Sequence, residues 1–195
     1  MLPEEIKKNK DTYIDQQAVY NFLETRRWLI DGVVICGGEP TLQKDLYEFI
    51  YTIKQMWFLV KLDTNGRDPE IVSRLIDDKL IDYIAMDIKD CPESRWNLVG
   101  THEKYALYQQ TVDLILASNI DYEFRTTVIK WWHTSAKLER MAQSVQWAKK
   151  YAIQNFQIPK MLLNPYFKGK SFSDTELQGL KEIVAPYVGS CEIRG

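Results

Sequence analysis

The sequence predicts a parallel α/β fold in which about five strands form an open sheet or the arc of a (β/α) barrel. Short β-branched apolar runs alternate with stretches of helical period, and the alternation recurs about every thirty residues, the length of one βα unit. The chain has 195 residues, 45% of them hydrophobic and 27% charged, which suffices for one sizeable core. No repeat, low-complexity tract or Ser/Gly run divides it. One domain over 1–195 is therefore expected, with its core at about 15–160 and an irregular tail at 161–195.

The first predicted helix, 15–30, brings Val19, Phe22, Leu23 and Leu29 near one face, and Gly32 releases the chain into the strand Val33-Val34-Ile35. The helix 42–56 leads to a strand over 58–63, and 69–79, with Pro69 suited to a first turn, leads to a strand over 83–87. A helix at 103–118 precedes a strand at 122–129, and a helix at 136–151 precedes the short run 156–158. Asn164-Pro165 and Lys168-Gly169-Lys170 read as turns in the tail.

Parallel β/α folds bind ligands beyond the carboxyl ends of their strands, so polar residues that close apolar runs are the candidate site. Three such segments stand out: Gly37-Gly38-Glu39-Pro40-Thr41, Asp63-Thr64-Asn65-Gly66 and Asp87-Ile88-Lys89. Glycines without side chains let a ligand reach the backbone, and Glu39 adds negative charge for an ammonium group. Each segment alone also reads as plain turn chemistry. Asp87 and Lys89, two apart on a strand, face the same side and are suited to a mutual ion pair. Arg125, inside an apolar strand, calls for a carboxylate partner. Lys89 at a strand end also raises a rival chemistry, a Schiff-base lyase.

With 25 basic and 27 acidic residues, the net charge of -2 gives no general attraction to nucleic acid or an anionic membrane. Charges interrupt every apolar window near the start, so no signal peptide or membrane anchor is expected and the location reads as cytoplasmic. Cys36, Cys91 and Cys191 are widely spaced and form no CxxC pair. His102 and His133 form no zinc-like spacing and read as surface residues, while Trp131 and Trp132 read as packing residues. No GxGxxG, GxxxxGK[ST] or GxSxG motif occurs.

The ordered set GGEPT, LDTNG and AMDIK, at βα spacing from about Gly32 to Ile129, resembles the radical S-adenosylmethionine (SAM) enzymes that activate glycyl radical enzymes. It is most similar to the activating proteins of anaerobic ribonucleoside-triphosphate reductase. The resemblance implies that Gly37, Gly38 and Glu39 hold the methionyl ammonium of SAM, with Pro40 shaping the turn. It further implies that Asp63, Asn65, Asp87, Lys89 and Arg125 complete the SAM site. By the same resemblance, Asp63, Thr64 and Asp87 are candidate ligands of a monovalent cation.

That family carries a CxxxCxxC loop binding a [4Fe–4S] cluster, and this chain contains no such loop. The resemblance therefore implies a truncated radical SAM domain, a partial barrel whose first strand is missing. Reductive cleavage of SAM by the intact enzyme would place a glycyl radical on anaerobic ribonucleotide reductase or a related partner. The chain alone is expected to be inactive, and a non-catalytic SAM- or partner-binding module is the alternative. An unprotected edge at Val33-Val34-Ile35 would favour self-association.

Overall fold

The computed structural model describes residues 14–92, 102–158 and 167–195, with the side chains of 102–104 outside that description. Its elements run α1 (Gln16–Arg26), β1 (Gly32–Ile35), a 3-10 turn (Pro40–Leu42), α2 (Leu46–Gln55), β2 (Leu59–Thr64), α3 (Pro69–Asp77), β3 (Tyr83–Asp87), α4 (His102–Ala117), β4 (Asp121–Val128), α5 (Ser135–Gln143), β5 (Tyr151–Asn155), α6 (Asp174–Val184), a second 3-10 turn (Ala185–Tyr187) and β6 (Cys191–Arg194). All six strands are parallel and lie in chain order. β1 and β6 do not pair, so the sheet is an open arc consistent with a partial (β/α) barrel.

The sheet's two faces differ in chemistry because side chains alternate along each strand. One face presents Val60, Leu62, Ile84, Met86, Phe124, Tyr151 and Ile153, which join helix residues such as Ile50, Leu75, Ile115, Met141 and Val184 in a single buried core. The opposite face presents Lys61 and Asp63, Tyr83 and Asp87, Glu123 and Arg125, and Glu192 and Arg194. Ala85 and Ala152 lie fully buried on this second face, and their small size leaves room for ion pairs to cross above them.

Local signals set the boundaries. Asp68 Oδ1 accepts the Ile71 amide at 3.2 Å and Pro69 begins α3, as the sequence suggests. At the other end of α3, Lys79 adopts φ 55°, its amide donates to Ile76 O at 3.0 Å, and the Leu80 amide donates to Leu75 O at 2.9 Å. These are the bonds of a left-handed helix cap, made here by a lysine instead of a glycine. Trp57 and Trp147 take the same left-handed conformation, with φ 69° and 70°.

Four expectations are corrected. The helix predicted over 136–151 ends at Gln143, and the strand expected at 156–158 is β5, Tyr151–Asn155. The left-handed Trp147, whose amide donates to Tyr187 O at 2.8 Å, turns the chain before the apolar period has run out. The tail beyond 167, expected to be irregular, supplies α6 and a sixth strand. α6 starts at a reciprocal cap in which Ser173 and Glu176 bond each other's backbone. Finally, His133 is not a surface residue, being 4% exposed, because its ring bonds two loops. Asn164 and Pro165 lie outside the described residues, as does the side chain of His102.

Candidate functional site

The three strand-end segments meet. A cavity of about 280 Å³ is lined by Cys36, Gly37, Gly38 and Glu39 after β1, Asp63, Thr64 and Asn65 at the end of β2, Asp87 and Lys89 at the end of β3, and Arg125 from β4. Parallel register explains the convergence. Asp63 is level with Ala85, and Asp87 with Arg125, so consecutive strands deliver their charges to one rim.

Two kinds of polar group build the cavity. Glu39 is nearly buried and ties β1 to β2: its Oε1 accepts from Thr41 Oγ1 and Thr64 Oγ1, each at 2.7 Å, and from the Thr41 amide at 3.3 Å. Its Oε2 accepts the Asn65 amide at 2.7 Å. The carboxylate is thus committed to the protein's own donors and shapes the turn, with Pro40 opening the 3-10 segment behind it. Gly66 closes the second segment with φ 77°, where a Cβ would lie 2.0 Å from Met86 Cε.

Arg125 is the centre of the second group. Its Nε donates to Asp87 Oδ1 at 2.6 Å and its Nη1 to Asp63 Oδ2 at 2.9 Å, so one guanidinium bridges β2, β3 and β4. Its ordinarily high pKa is pushed higher still: burial disfavours the charge, but the two carboxylates outweigh burial. The carboxylate partner expected for Arg125 is present twice over. Lys89 Nζ stands 3.9 Å from Asp87 Oδ2, at the limit of an ion pair, and its side chain is 64% exposed. It lacks the desolvated surroundings that activate a Schiff-base lysine.

Of the oxygens expected to hold a monovalent cation, Asp63 Oδ2 and Asp87 Oδ1 accept from Arg125, and the Thr64 hydroxyl donates to Glu39. Asp87 Oδ2 is paired with Lys89 Nζ at 3.9 Å. Asp63 Oδ1 is buried without a hydrogen-bond partner, although Lys61 Nζ forms an ion pair with it at 3.2 Å.

The charged face beyond the rim was not singled out from the sequence. Glu123, 2% exposed, accepts both prongs of Arg194 at 2.9 and 2.6 Å and the Tyr83 hydroxyl at 3.2 Å. Desolvation pushes the Glu123 carboxyl up, yet Arg194 with Lys61 and Tyr83 holds it below the usual range. Burial and the neighbouring Glu123 push the Tyr83 phenol well above its usual value. A signal existed: β2, β4 and β6 each carry two charges spaced two residues apart, Lys61 and Asp63, Glu123 and Arg125, Glu192 and Arg194. Such spacing puts both charges on one face of a strand.

A second cavity of about 350 Å³ adjoins the first, sharing Asp87, Lys89 and Arg125 and adding Ile88, Thr127, Ile129, Trp132 and His133. Trp132, read from the sequence as packing, borders this space and is half exposed.

An open parallel β/α arc with a charged strand-end pocket defines a partial (β/α)-barrel protein. Residues 4–133 match the family model described as the Radical SAM superfamily, about two thirds of the chain, so the protein belongs to that superfamily. It is 36% identical over 170 residues to a Methanocaldococcus jannaschii protein named "Putative glycyl-radical enzyme activating enzyme", covering 84% of this chain and 70% of that one. Streptococcus suis SuiB bound to S-adenosylmethionine has the same fold, with a TM-score of 0.65 at 15% identity, covering 93% of this chain but 44% of SuiB. Archaeal TYW1 is similar at a TM-score of 0.60 and 14% identity, over 89% of this chain and 59% of TYW1. The chain thus spans well under two thirds of both solved relatives.

The superfamily's cofactors are SAM and a [4Fe–4S] cluster. The rim fits SAM. Gly37, at φ 146°, has open space where a Cβ would stand, leaving its backbone approachable, and the exposed Lys89 ammonium borders the same cavity. The three cysteines of this chain are spread over the fold. Cys36 follows β1, Cys91 follows β3 and Cys191 opens β6, and the described residues hold no group of three or more His, Cys, Asp or Glu suited to a metal. Among the described residues, no helix is long and apolar enough to cross a membrane.

Proposed function

We propose that this chain is the SAM-holding part of an activating enzyme for a glycyl radical enzyme, of the kind that serves anaerobic ribonucleotide reductase. The observation that carries the reading is the convergence of Gly37, Asp63, Asp87, Lys89 and Arg125 on one cavity with an apolar annex. SAM bears a sulfonium, an ammonium and a carboxylate beside an adenosyl group, so its host needs both polarities at one end and apolar surface at the other. The charged cavity offers Asp63 and Asp87 to the cationic groups and Lys89 and Arg125 to the carboxylate. The annex offers Ile88, Ile129 and Trp132 to the nucleoside.

Bound SAM supplies a sulfonium whose reductive cleavage generates the radical chemistry of the superfamily. The residues of this chain bind and orient: Glu39 fixes the turn after β1, and Arg125 locks the Asp63 and Asp87 carboxylates in place at the rim. Because Cys36 follows β1, Cys91 follows β3 and Cys191 opens β6, the isolated chain is a binder without turnover.

Calorimetric titration with SAM tests the reading. Wild-type protein should bind with iron absent, and Asp63→Asn and Lys89→Ala should each weaken binding by about tenfold while remaining folded. Absence of binding by the folded wild type, or wild-type affinity in both variants, contradicts it. Anaerobic incubation with iron, sulfide, reductant and SAM should yield no 5′-deoxyadenosine, and its formation contradicts the inactivity.

A further inference from the structure

His133 sits in the loop between β4 and α5 and faces two backbones. Its Nδ1 accepts the Ile129 amide at 3.0 Å, which places the ring proton on Nε2, and Nε2 stands 3.2 Å from the carbonyl oxygen of Lys89. The imidazole is therefore a strut between the loop after β4 and the loop after β3. The neighbours of Lys89 are held separately: the Ile88 amide donates to Arg125 O at 2.8 Å, Thr126 Oγ1 donates to Ile88 O at 2.7 Å, and Lys137 Nζ pairs with Asp90 Oδ1 at 2.9 Å. The Lys89 peptide lies between these anchors, and His133 is the side chain that grips it. Burial lowers the pKa of the ring and so favours the neutral form that this bonding pattern requires.

Lys89 itself has a side chain 64% exposed and makes one long ion pair, so the direction of its side chain follows from where its backbone is held. We propose that His133 is a positioning residue for ligand binding: through Nε2 it fixes the Lys89 peptide and thereby aims the Lys89 ammonium across the cavity at the ligand's carboxylate. The ligand part rests on the SAM reading above; the grip on the loop does not.

Two substitutions separate the ring's two bonds. In His133→Gln the side-chain amide nitrogen can take the place of Nε2 and keep the Lys89 bond. In His133→Asn the amide oxygen can replace Nδ1 toward Ile129, but the side chain is too short to reach Lys89. Hydrogen exchange over residues 88–91 in the ligand-free protein should match wild type in His133→Gln and be faster in His133→Asn. SAM affinity should be kept by His133→Gln and fall about five- to tenfold in His133→Asn. In a Lys89→Ala background His133→Asn should cost no further affinity, because its effect passes through Lys89.

Equal exchange and affinity in the two variants, or a full additional loss in the Lys89→Ala background, overturns the proposal. Should wild type fail to bind SAM, the SAM reading falls, and the exchange contrast alone decides the strut. Should His133→Asn fail to fold, His133→Gln decides: wild-type exchange and affinity support the proposal, and faster exchange overturns it.

Discussion

Glu39 joins the first two strand ends, and replacing it measures how much of the site is held by that one carboxylate. In Glu39→Gln the amide oxygen can keep the three donors now on Oε1, but the amide nitrogen then faces the Asn65 N–H that Oε2 accepts at 2.7 Å. One charge-assisted bond is lost and a backbone amide is left opposite another donor, a cost of about 2 kcal/mol. In Glu39→Ala all four donors lose their acceptor. The two hydroxyls can turn elsewhere and the two amides cannot, which raises the cost to about 3–4 kcal/mol. For a domain of this size, 2 kcal/mol corresponds to a fall in Tm of roughly 4–8 °C. Urea titration with unchanged slope gives the difference directly. If Glu39→Gln lies within about 0.5 kcal/mol of wild type, Glu39 is not the clamp described and the geometry of the GGEP turn must have another source.

Three further outcomes follow from particular residues. Lys79→Gly should raise stability by about 1 kcal/mol in the same titration, since a glycine meets the left-handed cap of α3 without the Cβ penalty; a loss of stability would show that the lysine side chain outweighs its backbone strain. His133 has its folded pKa pushed below the ordinary 6.5, by burial first, against the opposing influence of the Lys89 carbonyl and Asp90. Its contribution is therefore complete above that unfolded value and is lost as pH falls from about 6.5 toward the folded pKa, so wild type should lose more stability over this range than His133→Gln. β1 has no strand on its outer side among the described residues, and its Val34 is half exposed. Light scattering should report a mass that rises with concentration, and a constant monomer mass would dismiss edge pairing.

The β/α alternation was readable because the helix-facing side of every central strand is apolar, as in Val60-Leu62 and Ile84-Met86. The rim was readable because its residues end those apolar runs. β6 escaped notice because its four residues, Cys-Glu-Ile-Arg, put two charges on the ion-paired face and leave Ile193 as the main apolar signal. The end of α5 and the start of β5 were misread because the left-handed Trp147 carries no glycine to announce the turn. The role of His133 was hidden for another reason. Its partners are a neighbouring amide and a carbonyl 44 positions away, and backbone acceptors leave no mark in the residue alphabet.

Three strand ends converge on one cavity, and the proposed function makes that cavity the SAM site. Amide chemical shifts of the chain titrated with SAM test this most directly. Shifts should concentrate at Gly37, Gly38, Asn65, Gly66, Lys89 and Thr127 and saturate with a single affinity. Saturable shifts confined to another surface, or no shifts in folded protein at high SAM, would contradict it.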